Sequence, residues 1–417
     1  MPNASQTTVA SRIEDVVRTM RCSGCGLCAQ YEGVTMALDD GGYMRPVVAA
    51  DSPTRTMAAP RELALFDGSC PGVAVEAQRP EGADRHPVIG PYTGIWAAHS
   101  TDPEARFNGS SGGVLTTIAR FLVDTGRQST VVGARADASD PSRTQTVQTG
   151  DAAEVTSLAG SRYAPVSNAS APEALRSSTV FIGKPCEAQA VRRMSTADGG
   201  EPPVILSFFC AGTPRQDATD GLLDELGAHR PLESMWYRGH GWPGSFTATG
   251  KDGEAVSVSY SDSWGAALGP TVQWRCRLCA DGVGEYSDIT AADYWESTPE
   301  GYPDFAEKEG VSALIARTRR GYEIVQEAVA AGVIEVEPLE PDALAAVQPY
   351  QVTRRQYLPA RLAASRTMGV TPPRVRGFSL GRMAVRDPKG LWQQYRGSMS
   401  RLRRKFGVEP PWLRRRG

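Results

Sequence analysis

Eight cysteines, at positions 22, 25, 28, 70, 186, 210, 276 and 279, are the residues of this chain whose type and spacing point most directly to chemistry. Cys22, Cys25 and Cys28 stand in CSGCGLC, separated by two residues each. That spacing lets one loop offer three thiolates to a cubane [4Fe–4S] cluster, and Gly24 and Gly26 let the backbone turn around it. Cys70 is the expected fourth ligand: it precedes Pro71, and a Cys-Pro pair is the usual setting of a remote ligand in bacterial ferredoxin-like sites. Four cysteines could instead hold zinc, although three evenly spaced thiolates on one loop are more typical of iron–sulfur. Cys186, Cys210 and the pair Cys276 and Cys279 remain. From spacing they allow a second [4Fe–4S] cluster, a zinc site, or cysteines without a ligand role.

A second chemical feature is FNGSSGGVLTTIARF, in which Asn108, Gly109, Ser110, Ser111, Gly112 and Gly113 lie between a strand region and a helix. Small residues there let backbone N–H groups and the two serine hydroxyls approach a phosphate at the positive end of the helix. The loop is not GxGxxG, so a Rossmann dinucleotide fold is not indicated, and a tight connection with a serine cap is the plain alternative. Beside two clusters, a flavin diphosphate is the natural ligand, since flavin joins hydride transfer to single-electron steps.

The elements that must hold these groups read as an α/β fold of mixed α+β character. GIWAAHS, STVVGAR, STVFIGK and PPVILSFFC are short buried strands. Val114, Leu115, Ile118, Phe121 and Leu122 recur at helical spacing with Gly126 as the stop, and APEALRS and CEAQAVRRM also read as helical. SFTATGKDGEAVSVSYS reads as a hairpin turning at Asp252-Gly253, and GYEIVQEAVAAGVIEVEPL as a helix closed by Gly332 and followed by a strand. Four segments follow: an iron–sulfur segment over 1–90 that wraps the core with little regular structure, a flavin-binding α/β domain over 91–240, a second-cluster and substrate domain over 241–350, and a helical basic extension over 351–417.

The chain of 417 residues has no run of 18 apolar residues to cross a bilayer, and its N-terminus lacks the pattern of a secretory signal. The cytosol is the expected compartment, where eight cysteines point to metal or redox chemistry rather than disulfides. Abundant Ala, Gly and Arg suggest a GC-rich bacterial genome. The net charge of −2 hides an asymmetry: residues 354–417 carry 17 Lys or Arg against only Asp387 and Glu409. This is either a solvated basic surface or a dock for an acidic partner such as a small electron carrier. No nucleic-acid module is recognisable in it.

Taken together, the motifs resemble the coenzyme F420 hydrogenase/dehydrogenase beta-subunit family, which includes ferredoxin-dependent enzymes such as 7-hydroxymethyl chlorophyll a reductase. The matching pieces are CSGCGLC, CPG, NGSSGGVLTTIARFLVDTG, GSRYAPV, FIGKPCEAQAVRR, FFCAGTP, YRGHGWPG, CRLCADGVGEYSDITAADYW and GVSALIARTRRG, spread over about residues 22 to 321 in the family's order. The resemblance implies one FAD and two [4Fe–4S] clusters, with both cysteine quartets as ligands. It also implies FAD contacts from the 108–113 loop, Thr116, Arg162 and Tyr163, with Lys184 facing the flavin or its phosphates. Where the family commonly has Gly-Asp-Xaa-Trp-Gly, this chain has Ala292-Asp-Tyr-Trp-Glu296. The expected function is a ferredoxin-dependent reductase: electrons enter at the Cys22/25/28/70 cluster, pass the second cluster to FAD, and leave as a hydride equivalent to a small organic substrate. The alternative runs from reduced F420 through FAD and the clusters to a partner subunit, and a third reading is a zinc-stapled binding protein without redox activity. Lys184, His240, Asp293, Tyr294 and Glu296 are the candidate proton donors. A homo-oligomer is expected.

Overall fold

The computed structural model describes residues 7–295 and 309–410. Its centre is an eight-stranded mixed sheet. The strands are β1 (Gly94–Ser100), β2 (Thr130–Ala136), β3 (Thr144–Thr149), β4 (Thr179–Gly183), β5 (Val204–Phe208), β6 (Ile289–Asp293), β7 (Ser312–Ala316) and β8 (Ile334–Pro338). They are ordered β8-β1-β7-β6-β5-β4-β2-β3. The four central strands β6, β5, β4 and β2 are parallel, and antiparallel strands close both sides. TVFIG and VILSF are nearly continuous apolar runs because parallel strands are covered on both faces.

One face packs against α3 (Val114–Asp124) and α5 (Arg319–Ala330), counting helices in chain order from α1 (Val9–Arg18) and α2 (Pro60–Ser69), with α4 (Pro185–Ser195) between them. Val114, Ile118 and Leu122 of α3 and Ile324, Val325 and Ala328 of α5 meet Val131, Val180, Leu206, Ile289 and Leu314. On the opposite face Ala188 and Val191 of α4 meet Phe181 and Ile205. The expected helix stops hold, with Gly126 and Gly332 both in the left-handed region. The expected hairpin is present as Ser245–Gly250 and Ala255–Ser259.

Four expectations need correction. Residues 1–90 contain more regular structure than their glycines and prolines suggest: α1, opened by a Thr8/Ser11 capping box, the hairpin Val34–Leu38 with Met44–Val48, and α2 with Pro60 at its first turn. APEALRS forms only a 3-10 turn at Pro172–Leu175, because β4 begins at Thr179. The glycine loop follows a short helix, Pro103–Asn108, rather than a strand, because Asp102 caps that helix through the N–H groups of Glu104 and Ala105. The sheet itself draws strands from both sides of residue 240, where a domain boundary was expected. Beyond residue 348 the chain forms α6 (Pro349–Thr367) and α7 (Pro388–Phe406). Their apolar faces, through Leu358, Leu362 and Leu402, pack on Trp274 and Leu278.

Candidate active site at the carboxyl edge of the sheet

The fold brings the first four cysteines together. Cys22, Cys25, Cys28 and Cys70 line one cavity, walled by Ile13 and Val16 of α1, Phe66 of α2, and Met36 and Pro46 of the hairpin. The loop is backbone-tight. A Cβ on Gly26 (φ +94°) would lie 2.7 Å from Ser167 O and Ser170 N, and one on Gly24 (φ +72°) 2.8 Å from Met44 O. Burial pushes the Cys25 thiol up to about 11 and Cys70 up to about 12, and Cys28 is raised further by burial and by the neighbouring thiols. Buried thiols of this kind become ligands only when a metal takes over their protons. Among the described residues no three His, Cys, Asp or Glu side chains converge on one metal ion.

The second quartet sits where two parallel strands end. Cys186 follows β4 on the turn into α4, and Cys210 follows β5. The short helix Trp274–Arg277 and the turn after it bring Cys276 and Cys279 to them: a Cβ on Gly212 would touch Cys276 Cβ at 3.2 Å, and Thr213 N–H points at Cys276 Sγ (3.4 Å). Burial pushes Cys210 up to about 12, with Cys276 and Cys279 close enough to add to it. Two arginines complete the surroundings. Arg354 of α6 donates to Cys210 O (2.9 Å), Ala211 O (2.9 Å) and Cys276 O (3.2 Å), and Arg275 donates to Pro71 O (2.7 Å). The Nε of each is buried without a hydrogen-bond partner in the protein. The two quartets adjoin, since Cys25 and Cys186 share one small core with Leu27, Ala190 and Met194.

The glycine loop lies at the same edge. Gly112 packs so closely on the sheet that a Cβ would stand 2.5 Å from Ala98 O and 2.9 Å from Ser312 N, and its N–H donates to Ser312 Oγ (2.9 Å). Ser110 pairs with Ser161 (2.7 Å) and Ser111 donates to Val311 O (2.8 Å), so both hydroxyls are engaged within the protein. Gly113 (φ +72°) opens α3 without any side-chain cap. The first-turn N–H groups, with half-buried Thr116 among them, are the part of this loop that fits a phosphate. The expected serine cap is absent because both serines face the sheet and Ser161. Arg162 departs from the expected flavin contact: four of its five N–H groups go to Thr144 Oγ1, Met235 O, Pro141 O and Arg143 O, and its plane lies over Tyr237. Tyr163 packs against Trp264 with ring centres 4.9 Å apart.

The candidate proton donors separate in space. Lys184 is buried and ion-paired to Glu187 (2.6 Å) while donating to Val166 O (2.9 Å). His240 is exposed, at φ +56°, stacked on Trp236 at 4.0 Å, with burial of its ring lowering its pKa. Asp293, at the end of β6, is bound to Arg238. Arg238 is itself almost fully buried within 5 Å of the rings of Trp242, Tyr260 and Trp295, and its Nη2 has no partner. Tyr294 packs beside this group, and Glu296 lies outside the described residues. The basis for Arg238, Arg275 and Arg354 went unread in the sequence. Their only signal is position, two of them beside cysteines or in YRGHGWPG and the third in a segment whose charge reads as surface.

The class these features define is a mixed α/β protein with two cysteine centres at the carboxyl edge of its sheet. The chain belongs to the coenzyme F420 hydrogenase/dehydrogenase beta-subunit family: the family's N-terminal model matches residues 95–172 and its C-terminal model residues 177–342. The first quartet and α6 and α7 lie outside those matches. The chain is similar to coenzyme F420 hydrogenase subunit beta of Methanothermobacter thermautotrophicus, 24% identical over 69% of this chain and 99% of that one. The same subunit of Methanococcus voltae is 22% identical over 68% and 99%. A chain in a solved structure of the F420-reducing [NiFe] hydrogenase complex from Methanosarcina barkeri shares the fold at a TM-score of 0.55, 21% identity, and coverage of 70% of this chain and 98% of that one. No helix among the described residues is long and apolar enough to cross a membrane.

Proposed function

We propose that this chain is an F420-linked flavin and iron–sulfur oxidoreductase. It would accept a hydride from reduced F420 and pass electrons singly, by way of its [4Fe–4S] clusters, to an acceptor protein or partner subunit. The carrying observation is contiguity: the uncapped start of α3, the ends of β4, β5 and β6, and both cysteine quartets lie along one edge and adjoin in series. In open parallel sheets ligands sit outside the carboxyl ends of the strands. Flavin would supply the exchange between hydride and single electrons. The protein's own residues do the rest. The first turn of α3 offers N–H groups to a diphosphate, while the eight cysteines hold iron. Arg275 and Arg354, each with a buried Nε that has no partner in the protein, would donate toward the second quartet's sulfur. This puts the F420 direction ahead of the ferredoxin-to-substrate direction, because the two relatives matched over nearly their whole length are F420 hydrogenase subunits. Anaerobic addition of reduced F420 to the brown holoprotein should bleach its flavin. Bleaching by reduced ferredoxin but not by reduced F420 would reverse the direction, and zinc in each quartet without flavin would refute the class.

A further inference from the structure

The extension that begins at α6 is not only a basic surface. Arg354 and Arg355 are buried, and α6 and α7 sit directly on the Cys276–Cys279 segment. Outside that contact, cations from three elements come together. Arg277, between the two cysteines, points its Nη2 at Gly269 O (3.4 Å) and keeps a buried Nε without a partner. Arg361 of α6 reaches Arg277 O (3.5 Å), and Lys405 of α7 reaches Pro270 O (3.2 Å). Arg361 is pushed down to about 10 by burial, with Arg354, Arg277 and Arg401 pressing on it as like charges, and Arg401 feels Arg277 and Arg404 in the same way. Among the described residues none of Arg277, Arg361, Arg401, Arg403, Arg404 or Lys405 pairs with a carboxylate. The last turn of α7 accounts for some of this charge, since cations complement a helix C-terminus. It does not account for the convergence of Arg277 and Arg361, from separate elements, on the same spot.

We infer that this arginine cluster is the docking surface for a small acidic one-electron carrier protein, and that electrons cross between carrier and enzyme at the second quartet. The sequence had placed the port at Cys22, Cys25, Cys28 and Cys70. Unpaired like charges are costly to hold together, and a carrier's carboxylates would relieve that cost only while docked, which suits a transient partner. The inference rests on the F420 reading only for its direction. Taking up one hydride reduces the enzyme by two electrons; each docking event then oxidises the enzyme by one electron and reduces one carrier by one. Two dockings return the enzyme to its starting state and release the proton that accompanied the hydride.

The test uses the full-length holoenzyme, reduced with dithionite and freed of excess reductant, mixed rapidly with an oxidised acidic bacterial ferredoxin. Arg401→Glu with Arg404→Glu should lower the second-order rate of ferredoxin reduction by at least about tenfold at low salt, with the difference shrinking as ionic strength rises. The exposed control pair Arg18→Glu with Arg319→Glu should leave the rate within about twofold, the small effect expected of charges remote from the dock. Should the reversal variant fold poorly, Arg401→Gln with Arg404→Gln should show the same direction with a smaller loss. Equal rates in dock and wild type, equal losses in dock and control, or arginine-dependent binding of anionic vesicles with ferredoxin reduction unchanged would each overturn the inference. Bleaching by reduced F420 is read separately, so failure of that step removes the direction and leaves the dock standing on the dithionite experiment.

Discussion

Glu285→Gln is the substitution whose cost can be worked most directly from the structure. Glu285 lies in the DGVGEYS turn just after Cys279, with its side chain fully buried. Its two oxygens accept from Arg85 Nη1 (2.8 Å) and Nη2 (3.0 Å), Arg355 Nη2 (2.6 Å) and Gln78 N–H (2.9 Å). Glutamine has the same shape, but it removes the charge and turns an amide donor toward guanidinium donors. Arg355, 1% exposed, is then a buried cation without its counter-ion. Removing one partner of a buried pair costs about 3–5 kcal/mol. With an m-value of about 3 kcal/mol/M for a chain of this size, the urea midpoint should fall by about 1–1.7 M at unchanged m. The turn also carries Asp281, whose Oδ1 accepts from the N–H groups of Val283, Gly284 and Glu285 and shapes the backbone beyond Cys279. Iron retention in the second quartet should fall with stability. Glu285→Met combined with Arg355→Met should recover part of the loss, because an apolar pair leaves less uncompensated charge. A midpoint shift below about 0.3 M, which is under about 1 kcal/mol on that slope, would refute the reasoning.

Gly112→Ala should lift the 108–113 loop from the sheet, because its Cβ would stand 2.5 Å from Ala98 O; flavin content should drop severalfold while iron content holds, and equal flavin content in the purified variant would count against the loop as the flavin site. Acid should destabilise the fold through Glu285 and Asp288. Burial pushes both carboxyls up, but Arg355 and Arg85, and Arg192 and Arg320, outweigh it and leave both below their ordinary values of 4.5 and 3.8. Their stabilisation is therefore complete above about pH 4.5 and is lost as the pH falls through the lowered folded values, so unfolding midpoints measured from pH 7 to pH 3 should decline only at the acid end, the unfolded chain binding more protons there. Asp293→Asn separates two roles: if Asp293 only neutralises Arg238, stability falls by about 3–5 kcal/mol while turnover per folded, flavin-loaded molecule persists. Turnover lost at unchanged stability would make Asp293 a proton donor after all.

Much of this could be read from the residues because the relevant signals are local. The cysteines sort into quartets by spacing and by the Cys-Pro pair, and β4 and β5 announce themselves as short apolar runs. What escaped reading depends on contacts distant in sequence. The resemblance makes Arg162 a flavin contact beside Tyr163, yet the chain folds so that carbonyls from 141, 143 and 235 surround it. Arg354 sits in the most basic stretch of the chain, where charge suggests solvent, and only the packing of α6 on Trp274 and Leu278 turns it inward. Ser110 and Ser111 have the composition of an anion loop, but Ser161 and Val311 claim their hydroxyls and leave the backbone of α3 to do that work.

The packing also orders the centres. Phe209, the residue before Cys210, belongs to the apolar group of Trp242, Trp295 and Tyr260 that encloses Arg238. That aromatic group is therefore joined directly to the second quartet through the Phe209–Cys210 bond, and Cys186 in turn adjoins Cys25 of the first. With the proposed flavin at the start of α3, beside β1 and β7, the second quartet at the ends of β5 and β4 is the middle of the series, and α6 packs on the Cys276–Cys279 segment. A dock over a middle centre has a consequence that a dock at the end does not. On the proposed direction, electrons would leave by the carrier before they reach the first quartet, which would then serve as a reservoir or as a route to a different partner. In this arrangement, removing the first cluster through Cys70→Ser would leave carrier reduction in place and abolish only what lies beyond it.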